Sequence, residues 1–122
     1  SKVGVITADS RSLDADLLAA VGITDVDRIV IQGLEDQSHF HRFAIEETGT
    51  LDTEAIAAEV VATGRQLVAR DDRIKVLLLE CSLLPPYAAA LQAAIQMPVF
   101  DYISMINFVF SAVVKKPHAG FI

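Results

Sequence analysis

A single cysteine, four prolines, six glycines and a shortage of basic side chains set the first limits on this 122-residue chain. Cys81 alone cannot close an intrachain disulfide, so its thiol is expected to be free and the protein to work in a reducing cytoplasm. The opening residues show no charged segment leading into an apolar one, so no leader is expected. Ten Lys and Arg stand against sixteen Asp and Glu, a net charge of −6, and the longest basic cluster is the pair Lys115-Lys116. Such a surface repels a phosphate backbone, and nucleic acid is excluded as a partner. The longest apolar stretch, 103–114, is broken by Ser104, Asn107 and Ser111 and falls short of the roughly 18 residues of a membrane span, so no membrane partner is expected. Glycine lacks the spacing of a dinucleotide or phosphate-binding fingerprint, which argues against NAD, FAD and ATP. Neither repeats nor low-complexity runs divide the chain, and its 52% hydrophobic residues suit one globular domain over 1–122.

What remains is an alternation of strand and helix signals. "KVGVITA" (2–8) and "DRIVIQGL" (27–34) read as strands, as does the uninterrupted apolar "RIKVLLLE" (73–80), with "MPVFDY" a shorter fourth. Between them, "DSRSLDADLLAAVG" predicts a helix capped by Ser10 or Ser12 and stopped by Gly22. The stretch "LDTEAIAAEVVATGRQLVARD" predicts a helix capped by Asp52, with Ile56, Val60, Gly64, Leu67 and Val68 on one face. "PPYAAALQAAI" and "ISMINFVFSAVV" add two more, and 35–50 reads as a long loop with a helical turn or two. The fold class is therefore α/β: a small doubly wound domain, with a mainly four-stranded parallel sheet flanked by helices.

Ligands of such sheets bind beyond the carboxyl ends of the strands, where Cys81 lies. Two readings of Cys81 stay open: an inert small core residue, or a thiol placed where the following helix favours negative charge. Thr7, Asp9, Ser10 and Ser12 in "TADSRS" reach the same edge as either carboxylate-binding hydroxyls or a plain capping loop. Glu80 is expected on the face opposite Cys81, tied to loop backbone. Asp101 either orients a group near the thiol or caps the last helix. His39 and His41 have no third ligand beside them and read as a solvated loop; no metal is expected. On the last helix, apolar residues cover most of the circumference and leave only the stripe Ser104, Asn107 and Ser111, so a second lobe or a second copy of the chain should cover 103–114.

The run "LLLECSLLPPYAAALQAAIQMPVFDYISMINFVFSAVV" and, less specifically, "KVGVITADSRSL" resemble the second, C-terminal lobe of the aspartate/glutamate racemase superfamily. The resemblance implies one lobe of a longer two-lobed protein. It also implies a cofactor-independent isomerase, a racemase or epimerase of a small amino acid or related carboxylic acid. Cys81 would be one of two thiol acid/bases, the other coming from the missing lobe, and the isolated chain would be inactive. Ser82 would contact the substrate carboxylate, with Thr7, Ser10 and Ser12 as further binding positions and Asp9, Glu80 and Asp101 in support. Alternatives are a hydantoin racemase, a maleate-isomerase-like enzyme, an arylmalonate-decarboxylase-like enzyme, and a non-catalytic domain that binds a small acid or dimerises.

Overall fold

A computed structural model describes residues 1–45 and 51–120. Four parallel strands, β1 (Lys2–Thr7), β2 (Ile29–Gly33), β3 (Ile74–Leu79) and β4 (Val99–Phe100), form one sheet in the order β2-β1-β3-β4. The helices are α1 (Ala15–Ala20), α2 (Ser38–Phe40), α3 (Thr53–Arg70), α4 (Ala88–Ile95) and α5 (Tyr102–Val113). The α/β class expected from the alternating pattern is the one observed, a small domain with helices against both faces of the sheet.

The main core lies on the face covered by α3 and α4. Ile6, Leu77 and Leu79 from the strands meet Ile56, Val60 and Leu67 of α3 and Leu91 of α4, all buried. Side chains alternate between faces along a strand, so Val3, Val5 and Leu78 turn the other way, toward Leu13, Leu17, Leu18 and Val21 around α1. Gly64 lets α3 and α4 approach closely, because a Cβ there would collide with Leu91 Cδ1. At the amino end of the sheet, Asp71 accepts from Lys2 Nζ at 3.0 Å and Arg73 Nε at 2.9 Å, joining the starts of β1 and β3.

Two helix starts differ from their sequence-based expectation. Asp14, not Ser10 or Ser12, caps α1 by accepting from Leu17 N at 2.9 Å. Asp9 holds the 3-10 turn Ser10–Ser12 by accepting from Arg11 N at 3.0 Å. Each aspartate occupies the extended position before its turn, which a cap requires, whereas the serines lie in or just after the first turn. Gly22, at φ +85°, does stop α1, and Asp52 does cap α3, accepting from Ala55 N. The stretch read as a loop with a helical turn or two contains α2 and a wide turn over His41–Ile45; its residues 46–50 lie outside the described residues.

Candidate functional site

The strand order reverses between β1 and β3: from β1 the chain moves outward to β2, then returns past it to β3 and β4. Ligand crevices of open α/β sheets lie at this point, beyond the carboxyl ends. Thr7 ends β1 and Glu80-Cys81 follow β3. Glu80 N–H donates to Ile6 O at 2.9 Å, and the buried Thr7 hydroxyl donates to Glu80 Oε2 at 2.8 Å, closing the floor of the crevice. Glu80 is thus tied to a hydroxyl of the neighbouring strand rather than to loop backbone. Thr7→Val should leave that carboxylate oxygen without its donor and cost about 1 kcal/mol. An unchanged urea midpoint would show that the bond contributes nothing.

Cys81 is half-buried and packs against the core cluster, on the Leu77 and Leu79 side. Its carbonyl accepts from Leu84 N at 3.1 Å, which fixes a tight turn that leaves Ser82 and Leu83 exposed beside the thiol. The expected helix N-terminus behind the thiol is displaced. Residues Pro85–Tyr87 form a 3-10 turn, and α4 begins only at Ala88. The prolines have no N–H, Tyr87 N–H is bonded to Leu84 O at 2.9 Å, and Ala88 N–H to Pro85 O. The amides nearest the thiol are therefore those of Ser82 and Leu83, from the turn rather than from α4.

The first loop is held by its own carboxylates. Ser10 donates its hydroxyl to Glu35 Oε1 and its N–H to Glu35 Oε2 at 3.1 Å, so the proposed substrate-binding serine is engaged by an internal acid from the segment after β2. Burial pushes the Glu35 carboxyl upward, but hydrogen bonds from the Ser10 hydroxyl and from the Glu35 and Ser10 amides outweigh it, and the net shift is below the ordinary value of 4.5. A carboxylate with a depressed folded-state value stabilises the fold above its unfolded value, and that contribution disappears as pH falls through the folded value. Stability should therefore decline below about pH 4.5, and Ser10→Ala should lessen the decline in pH-dependent melting. Equal declines in both proteins would contradict the assignment. The Arg11 guanidinium hydrogen-bonded to Asp9 holds that carboxyl below its usual range, at 2.8 Å from Nε and 2.7 Å from Nη2. Ser12 is exposed, with its N–H on Asp9 O.

At β4, Asp101 is a helix cap: Oδ1 accepts from Ser104 N at 2.8 Å, and Ser104 Oγ accepts from Asp101 N at 2.9 Å. It also borders a groove of about 510 Å³ lined by Leu78, Glu80, Phe100, Tyr102, Met105 and Phe108. That groove lies on the Glu80 side of β3, whereas Cys81 packs on the opposite side. His39 Nδ1 sits 3.1 Å from Glu59 Oε1, and among the described residues no cluster of three or more His, Cys, Asp or Glu could hold a metal ion. No helix of the described residues is long and apolar enough to cross a membrane. The residue that sequence reasoning missed is Glu35. It meets Ser10 across 25 positions of chain, and no local pattern signals such a pair.

No family model matches the chain, and no solved structure matches it. Curated proteins do. The chain is similar to dimethylsulfoniopropionate lyase 5 of Emiliania huxleyi, 34% identical over 95% of this chain and 24% of that protein. It is similar to the dimethylsulfoniopropionate lyase of Durusdinium sp. clade D, 31% identical over 98% of this chain and 40% of that protein. Dimethylsulfoniopropionate lyase 7 of Emiliania huxleyi is 29% identical over 97% of this chain and 36% of that protein. The chain spans about a quarter to two fifths of the length of these relatives.

These findings correct the functional reading of the sequence. The aspartate/glutamate racemase resemblance rested chiefly on one run around Cys81, whereas relatives matched over nearly the whole chain carry the name of a lyase. The isomerase assignment, as racemase or epimerase, falls with it. So do the hydantoin racemase, maleate-isomerase-like and arylmalonate-decarboxylase-like alternatives and the non-catalytic reading. A chemical reason accompanies the correction. Racemisation needs an acid/base on each face of one carbon, and this chain has one thiol; an elimination needs one base.

Proposed function

We propose that this chain carries the base of a lyase that cleaves dimethylsulfoniopropionate into dimethyl sulfide and acrylate, with Cys81 as that base. The observation behind this reading is the placement of the chain's single thiol at the carboxyl end of β3, beside the switch point, in a domain similar to dimethylsulfoniopropionate lyases over 95–98% of its length.

The reaction is an elimination. The Cys81 thiolate takes a proton from the carbon next to the substrate carboxylate, and the C–H electron pair becomes the new C=C bond. The C–S bond breaks with its pair going to sulfur. Dimethyl sulfide departs neutral, so no acid is required to protonate it, and the proton on Cys81 returns to solvent. The carbon acid is weak, and the work of the site is to hold the carboxylate while charge develops. Ser82, exposed on the turn after the thiol, supplies a hydroxyl for that carboxylate, and the Ser82 and Leu83 amides lie on the same turn. Thr7 and Glu80 keep the crevice in shape, and Ser10, Glu35, Asp9 and Ser12 hold the loop along its other edge. The substrate is a zwitterion, and the acidic rim of Asp9, Glu35 and Glu80 suits its sulfonium end. No cofactor enters this chemistry.

The test is a chimera: the matched segment of the Emiliania lyase 5 is replaced by this chain, and dimethyl sulfide release is followed by gas chromatography. Release above the level of a chimera carrying Cys81→Ser is expected. A folded chimera that releases none would sink the reading.

A further inference from the structure

We infer that α5 is the core of a homodimer interface, in which the helix packs antiparallel against α5 of a second copy across a twofold axis. None of its twelve residues is buried, and Phe108 is 79%, Val113 75% and Met105 60% exposed. These large side chains fall on one side of the helix at three- to five-residue spacing, as an interface requires. Beside the first turn of α5, the groove walled by Leu78, Phe100, Tyr102 and Met105 offers a concave seat for apolar side chains of the other copy.

The area is sufficient. The chain exposes 8103 Å², whereas a compact monomer of this mass exposes roughly 6,400 Å². The excess, roughly 1,700 Å², is about twice the 800 Å² or so that each partner contributes to a standard stable interface.

The distribution of charge selects a second copy as the occupant. From Tyr102 to Val114 no side chain is charged, while Asp101 stands before the helix and Lys115-Lys116 follow it. An antiparallel pair about 18 Å long brings each acidic end to the other copy's lysines and sets the two helix dipoles in opposition. The surface is thus complementary to itself, and an isologous contact closes at two copies. A lipid surface is disfavoured by the net charge of −6. The inference does not depend on the proposed reaction.

Sedimentation equilibrium of the chain at tens of micromolar, about an order of magnitude above the dissociation constant of a modest dimer, gives the first reading. A mass of twice 13.2 kDa is expected. Phe108→Glu, a change at an exposed position, should keep the circular dichroism spectrum and weaken the dimer about thirtyfold or more. Phe108→Cys in a Cys81→Ser background should form an intermolecular disulfide on mild oxidation, and Gln96→Cys in the same background should not. A monomeric wild-type chain, or a dimer indifferent to Phe108→Glu, would overturn the inference. So would a monomeric chain that sediments with phosphatidylcholine vesicles, or a longer polypeptide that is monomeric with its α5 amides protected from exchange.

Discussion

Cys81→Ser in the chimeric lyase should lower dimethyl sulfide release by about two to four orders of magnitude, the usual worth of a positioned general base. The fold should survive. Cys81 is half-buried at the edge of the core, and exchange of one sulfur for oxygen neither empties a cavity nor forces a rotamer. A serine hydroxyl keeps its proton at neutral pH and cannot serve as the base without a partner to take that proton. Among the described residues no histidine is bonded to the turn after β3. Substrate affinity should change little, because the carboxylate is held by other groups. The informative control is Glu80→Gln. Glu80 is bonded to Thr7 and borders a groove on the opposite side of the strand, so its loss should act through crevice shape and remain well below the Cys81 effect. If Cys81→Ser retained activity while Glu80→Gln lost it, the base would be the carboxylate.

Leu77→Ala should be the most damaging single substitution for stability, at about 2–5 kcal/mol. Leu77 is fully buried in a strand paired on both sides, opposite Gly4 of β1 and Val99 of β4, and its N–H donates to Pro98 O at 3.0 Å. Its side chain projects into the α3–α4 layer near Gly64. Truncation leaves a cavity that neighbours held by a paired sheet cannot close. A domain of this size has about 5–15 kcal/mol in total, so the melting temperature should drop by about 10 °C or more. Activity should fall too, because β3 sets the position of Cys81. Leu83→Ala, at a 43% exposed turn position, should stay within about 0.5 kcal/mol. A Leu77→Ala protein that melts like the parent would mean the core is not organised around β3.

The strands and long helices were legible because their signals are local. The unbroken apolar run of β3 marks a strand covered on both faces, and the spacing of Ile56, Val60, Gly64 and Leu67 marks the buried face of α3. Helix starts were less so, because several Ser and Asp residues compete within "ADSRSLDAD", and the extended backbone before each turn decided for Asp9 and Asp14. The displaced start of α4 follows from two consecutive prolines, which favour a short 3-10 turn before α-helical bonding can begin. The placement of Cys81 at a strand end was legible from the chain. The Glu35–Ser10 pair was not, since it depends on β2 and β1 lying side by side. The reaction was misread for a chemical reason: racemisation and elimination share the removal of a proton beside a carboxylate, and the residues around a thiol base do not reveal what leaves next.

The most direct test of the account is a competition between ordinary dimethylsulfoniopropionate and substrate deuterated at the carbon next to the carboxylate, using the chimeric enzyme. A primary isotope effect on dimethyl sulfide formation, with acrylate appearing in equal amount, is the predicted result. Equal consumption of both substrates, or a covalent adduct on Cys81 in place of acrylate, would contradict a proton-abstracting thiol and make Cys81 a nucleophile instead.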